Sequence, residues 1–155
     1  MKQKDIHIKG DRIHALFSGK HAYLSNFYEV IAYLVQEPIP SETIMITLEE
    51  HDTAGEMCEI VMCVSKNSEY LGRREQYARC IYSGFSDILD RLVVVDNVGR
   101  HPGYLALDPR VRSEMFLETD LNGSSHLILN AEFSSGRVNP STKKWFQRLT
   151  DILTE

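Results

Sequence analysis

The chain has 155 residues, 43% hydrophobic and 25% charged, which suits one domain across residues 1–155 with one core and excludes a disordered chain. Its formal net charge of -5 excludes an extended nucleic-acid surface, which needs a basic patch. No apolar run approaches the roughly 20 residues that span a bilayer. The polar start Met1–Asp5 has no apolar signal region behind it, so no membrane partner and a cytoplasmic location are expected.

Ile6-His7-Ile8 reads as a short strand and Gly10-Asp11 as a turn. In FSGKHAYLSNFYEV, Phe17–Val30, a Ser-Asn pair interrupts an aromatic-rich stretch. Leu24–Tyr28 is then either a core-anchored turn or the edge of a pocket. Val30–Val35 is rich in strand formers, Pro38 and Pro40 force a turn, and Ile44-Met45-Ile46 follows. This predicts strand–turn–strand over residues 30–48.

Residues 47–64, TLEEHDTAGEMCEIVMCV, fit two templates. As a hairpin, Asp52–Gly55 is the turn. As a helix, Thr47 caps and Glu50 answers it three residues later, and Ala54, Met57, Cys58, Val61 and Met62 share one face. The helical template matches more positions. Helical spacing recurs at Tyr77, Ile81, Phe85, Ile88 and Leu89, and Leu92–Val95 is a buried strand or the end of a core helix. Asp108-Pro109 predicts a short helix over Arg110–Phe116. Leu121–Ser125 is a turn, and His126–Phe133, HLILNAEF, a strand. Asn139-Pro140 starts a final helix. Its apolar stripe is Trp145, Phe146, Leu149, Ile152 and Leu153, and Trp145 and Leu149 are expected to dock it. Together these elements predict an α+β fold, a small antiparallel β element packed with several helices and closed by a C-terminal amphipathic helix.

Chemistry is sparsely signalled. The six histidines form neither H-x-x-x-H nor H-E-x-x-H, and Cys58, Cys63 and Cys80 lack a C-x-x-C spacing. The expectation is no metal and reduced, buried thiols. No nucleotide-binding glycine loop or nucleophile elbow is present, so no cofactor is expected. Glu49-Glu50-His51-Asp52 is the densest ionisable cluster. It reads as a solvated first helical turn or as an acid/base or sugar-hydroxyl binder.

The stretch Phe17–Tyr28, with F-S-G followed by L-S-N-F-Y, resembles the opening signature of the NADAR (YbiA-like) family. Members then carry a Glu-His pair, a Gly-Arg and an Asn before the last helix; Glu50-His51, Gly72-Arg73 and Asn139 match those. Residues 108–120, DPRVRSEMFLETD, are similar to a further family segment. The resemblance implies an N-glycosidase or binder acting on an ADP-ribose-like or phosphoribosyl compound, a nucleotide-sugar-like small molecule. Glu50 would be the catalytic carboxylate that stabilises a cationic ribose and Arg73 would hold phosphate. Phe27 or Tyr28 would wall the base, Asn26 would bond ribose hydroxyls, and Ser25, His51 and Asn139 would complete the substrate site. A second class of function fits the composition: a small acidic binding protein, such as an immunity protein or inhibitor of a basic toxin or nuclease, without catalysis. A helix that brings Glu50 towards Asn26 favours the first reading. An exposed hairpin carrying Glu49, Glu50, Asp52, Glu56 and Glu59 favours the second.

Overall fold

In the computed structural model the elements, in chain order, are β1 (Ile6–Ile8), α1 (Gly10–Leu16), α2 (His21–Gln36), β2 (Thr43–Asp52), β3 (Met57–Val64), β4 (Arg74–Gln76), β5 (Val93–Val95), β6 (Ser113–Asp120), β7 (Ser125–Phe133) and α3 (Pro140–Thr154). The structure describes residues 5–155, and Met1–Lys4, most of the polar start, lie outside them. The strands form one seven-stranded sheet ordered β1-β3-β2-β7-β6-β5, with β4 also paired to β3. Every pairing is antiparallel. The sheet dominates and, among the described residues, three α-helices accompany it, which corrects the expected small β element among several helices. Among the described residues, no helix is long and apolar enough to cross a membrane.

Residues 47–64, where a capped helix was expected, belong to the hairpin β2–β3, and β2 is central in the sheet beside β7. Asp52 Oδ1 accepts the N–H of Ala54 at 3.1 Å and of Gly55 at 3.2 Å, and this side-chain turn reverses the chain. A Cβ on Gly55 would lie 2.8 Å from Asp52 Oδ2, so a side chain there would displace the carboxylate that closes the turn. The alternation of β2 was masked because both of its faces are buried: Ile46 and Leu48 point one way, Thr47, Glu49 and His51 the other. The hairpin is also not an exposed acidic arm, since Glu49 is 6% exposed and β2 is flanked by β3 and β7.

Leu24–Tyr28 lies inside α2, which overturns both the turn and the strand expected over residues 30–35. Phe27, Val30 and Leu34 are its buried stripe, spaced as a helix requires. Docking that stripe outweighs the strand propensity of Val30–Val35. Residues 77–89 are not an α-helix; they hold short 3₁₀ turns at Tyr77–Arg79 and Ile81–Phe85. Asp108 does not cap a helix. Its carboxylate takes the backbone N–H of Arg110 at 2.9 Å and its guanidinium at 2.7 Å, and the chain then runs out as β6.

α2 and α3 pack on each other and on one face of the sheet, with α1 beside them. Asn139 caps α3 by accepting the N–H of Ser141 at 2.9 Å. The helix docks mainly through Phe146, Leu149 and Leu153, whereas Trp145 is only partly buried, at the margin beside Tyr33. Phe146→Ala should therefore cost about 3–5 kcal/mol and Trp145→Ala clearly less. Equal losses in urea denaturation would contradict this placement.

Candidate functional site

The other face of the sheet is covered by the long connection between β3 and β6. Tyr77, Ile81, Tyr82, Val98 and Val111 of that connection pack on Cys58, Phe116 and Ile128 of the sheet. Beside them this face carries an unusual polar layer. Thr47, Glu49, His51, Glu114, Glu118, Asn130 and Glu132 are all buried there. Buried carboxylates are rare unless paired, so this layer is where function is to be sought.

At one end the layer opens into a cleft of about 600 Å³, lined by His51, Glu56, Tyr77, Ala78, Glu118 and His126 among others. Three adjacent strands build its floor. His51 on β2 stands directly across from His126 on β7, and Glu118 on β6 pairs with Ile128, two residues along from His126. Alternation brings the three side chains to the same face. Both histidines meet one carboxylate oxygen: His51 Nδ1 lies 2.8 Å and His126 Nδ1 2.7 Å from Glu118 Oε2. Tyr77 donates its hydroxyl to Glu118 Oε1 at 3.0 Å and stacks on His51, ring centroids 3.8 Å apart. His51 Nε2 is buried without a hydrogen-bond partner, and its nearest carboxylate oxygen, on Glu56, is 3.5 Å away. Glu56 itself sits at φ 52° in the hairpin turn, a conformation costly for a side chain without local hydrogen bonding.

Charge follows this geometry. Burial disfavours the ionised Glu118, but hydrogen bonds from His51, His126 and Tyr77 outweigh it and hold the carboxyl below its ordinary range. Burial likewise opposes charge on His51, yet the bond to Glu118 and its negative charge hold the imidazole above its ordinary value.

Deeper in, Glu49, Glu114 and Glu132 surround a second cavity of only about 40 Å³ with Tyr82, Cys58 and Cys80. That is space for water rather than a metabolite. Glu114 and Glu132 are direct cross-strand partners. Burial pushes Glu114 up to about 8. Burial, followed by the charge of Glu114, pushes Glu132 well up. Glu49 is raised by burial despite hydrogen bonds from Tyr82 and Thr47.

Of the catalytic and substrate-binding residues expected from the sequence, only His51 lines the cleft. Glu50 projects from β2 to an ion pair with Arg12 of α1. Asn26 Nδ2 donates to the carbonyls of Leu153 at 3.0 Å and Glu155 at 2.9 Å, tying α2 to the end of α3. Ser25 is exposed, Phe27 is in the helix-side core, and Tyr28 is 52% exposed. Arg73 is exposed beside Glu75, and Asn139 is the helix cap. The structure thus gathers none of Ser25, Asn26, Phe27 and Asn139 around Glu50. Sequence reasoning missed Glu118, His126 and Tyr77. The usable signal was the polar residues alternating with apolar ones in Ser113–Asp120 and Ser125–Phe133, once both are taken as strands.

No family model matches the chain, and no curated protein matches it in sequence. Solved structures share the fold. A free methionine-R-sulfoxide reductase from Neisseria meningitidis, in complex with its substrate, aligns over 92% of this chain and 82% of its own at 16% identity, TM-score 0.58. The GAF domain of a phosphoenolpyruvate-protein phosphotransferase from Coxiella burnetii aligns over 90% and 93% at 12% identity, TM-score 0.58. A type II free methionine-R-sulfoxide reductase from Thermoplasma acidophilum covers 86% and 89% at 12% identity, TM-score 0.58. The fold is therefore GAF-like. The NADAR resemblance and the N-glycosidase function drawn from it are overturned, since proteins sharing this fold are of another kind and the LSNFY motif is helix interior. The immunity-protein reading loses its basis as well, since Glu49 of the hairpin is buried and Glu50 and Glu59 are half-buried in ion pairs with Arg12 and Lys9.

Proposed function

We propose that this chain is a GAF-type domain that binds a small polar molecule in the cleft floored by His51, Glu118 and His126. The observation that carries this reading is the buried ionisable set at the base of an open cleft. Burying a carboxylate and an imidazole side by side is costly, and the hydrophobic layers on either side of the sheet do not require it. Pockets of this size with a few convergent polar groups suit small ligands. Three free cysteines support a cytoplasmic location.

The test is a ligand-observed NMR screen with mixtures of free amino acids, methionine sulfoxide and nucleotides. Ala78 is exposed and lines the cleft, so Ala78→Trp fills the opening without touching the core. Hits should compete with one another and vanish in that variant. Hits that survive it place binding elsewhere and defeat the reading.

Reduction of free methionine sulfoxide is the second reading, favoured by one observation: Cys58 and Cys80 adjoin on the small cavity. In that reaction the sulfoxide oxygen leaves as water while two thiols become a disulfide, which an external dithiol reduces. It is the weaker reading because the contact with Cys80, and then burial, push the Cys58 thiol far up, whereas the reactive species is the thiolate. Dithiol-dependent turnover of free methionine-R-sulfoxide by the wild type, lost in Cys58→Ser and in Cys80→Ser, would select it.

A further inference from the structure

We propose that His51, Glu118 and His126 form a binding site for one divalent first-row transition ion. This goes beyond the reading of the cleft as a ligand site and stands without it.

The donor set comes first. Two imidazole nitrogens and one carboxylate oxygen suit zinc or iron(II) and do not suit magnesium or calcium, which take oxygen ligands. The three donor atoms lie within 4.8 Å of one another, and the group is buried or half-buried. The two Nδ1 atoms stand 2.8 and 2.7 Å from Glu118 Oε2. Donors bound at about 2.1 Å to a tetrahedral ion are about 3.4 Å apart. An ion therefore has to spread each histidine–glutamate pair by about 0.6–0.7 Å.

The surroundings provide the second observation. A metal-bound histidine usually gives its other ring N–H to a carboxylate. His51 Nε2 faces Glu56 Oε2 at 3.5 Å, and His126 Nε2 faces Asp120 Oδ1 at 3.9 Å. The remaining oxygen of Glu118 receives the Tyr77 hydroxyl. Each of the three ligands thus has an outer polar group nearby, of which the Tyr77 hydroxyl is already within hydrogen-bond distance.

Hydrogen bonding alone satisfies this arrangement only when the imidazoles are protonated, and it fails for the neutral rings. A neutral imidazole has a single N–H. If His51 and His126 spend it on Glu118, their Nε2 lone pairs confront Glu56 and Asp120. If they spend it outward, two Nδ1 lone pairs confront the same Glu118 oxygen. A cation between the Nδ1 atoms and Oε2 removes the conflict. The lone pairs go to the metal and the N–H groups to the outer carboxylates. His51 Nε2, buried and without a hydrogen-bond partner, is the atom that registers the conflict. Three protein ligands leave at least one coordination position, and the cleft is the open side.

Cobalt(II) titration of the chelator-treated full chain tests this, followed by zinc competition in calorimetry. The wild type should develop visible d–d absorption that saturates at one ion per chain, with zinc displacing cobalt. Glu118→Gln keeps the side-chain shape, and His126→Ala removes a ligand at the rim. Each should lower zinc affinity by about a hundredfold or more, and Glu56→Gln by about tenfold. Circular dichroism should confirm that all three variants are folded. No saturating absorption in the wild type, or absorption that persists in either Glu118→Gln or His126→Ala, overturns the proposal. The NMR screen with Ala78→Trp is read separately, so failure of the metal site and failure of the ligand cleft are distinguishable.

Discussion

Glu118→Leu is expected to lower stability by about 3–5 kcal/mol in urea denaturation near pH 6, the cost of removing one partner from a buried charged network. Leucine leaves His51, His126 and the Tyr77 hydroxyl without the acceptor they share. The loss should depend on pH in a defined sense. The Glu118 carboxyl is held below its ordinary 4.5, so its contribution is present above that value and lost as pH falls through the lower, folded one. The His51 imidazole is held above its ordinary 6.5, so its contribution is complete below that value and lost as pH rises through the higher, folded one. The gap between wild type and variant should be widest between 4.5 and 6.5. A gap independent of pH would mean that the leucine acts through packing alone.

Glu114→Gln should act in the opposite direction, stabilising the protein by roughly 2–4 kcal/mol near pH 8. Burial raises the Glu114 carboxyl from 4.5 to about 8. A carboxyl raised on folding contributes fully at acid pH, and the contribution is lost as pH climbs towards the folded value. Glu49 and Glu132 are raised as well, so they add to the same decline. Glutamine keeps the shape of the protonated acid and has no proton to lose. The variant's stability should therefore fall less steeply between about pH 5 and 8 than that of the wild type. Thermal melts across that range measure it, and parallel curves would show that Glu114 is already ionised in the folded protein.

Where local chemistry and packing agreed, the residues were readable directly. Asn139-Pro140 and the stripe through Phe146 and Leu149 specify α3, because a cap and a 3.6-residue period need no distant partner to be recognised. The run His126–Phe133 is a strand within Ser125–Phe133, and the Asn122 side chain closes the turn before it by accepting from Ser124 and Ser125. Ile6–Ile8 is likewise a strand. Tertiary structure alone decided the rest. Thr47–Val64 resembled a capped helix because the buried face of β2 carries Glu49 and His51 where a strand's apolar alternation is expected. Residues 108–116 misled because Asp108-Pro109 has the form of a helix start, whereas Asp108 binds Arg110 and the chain runs on as β6. The LSNFY stretch is helical because α3 and the sheet cover Phe27, Val30 and Leu34. His51, Glu118 and His126 are far apart in the chain and meet only through the register of β2, β7 and β6. The polar side chains that build the candidate site are the ones that break the hydrophobic period. Local sequence therefore determined the elements that only pack, and long-range strand pairing determined both the site and the strands that carry it.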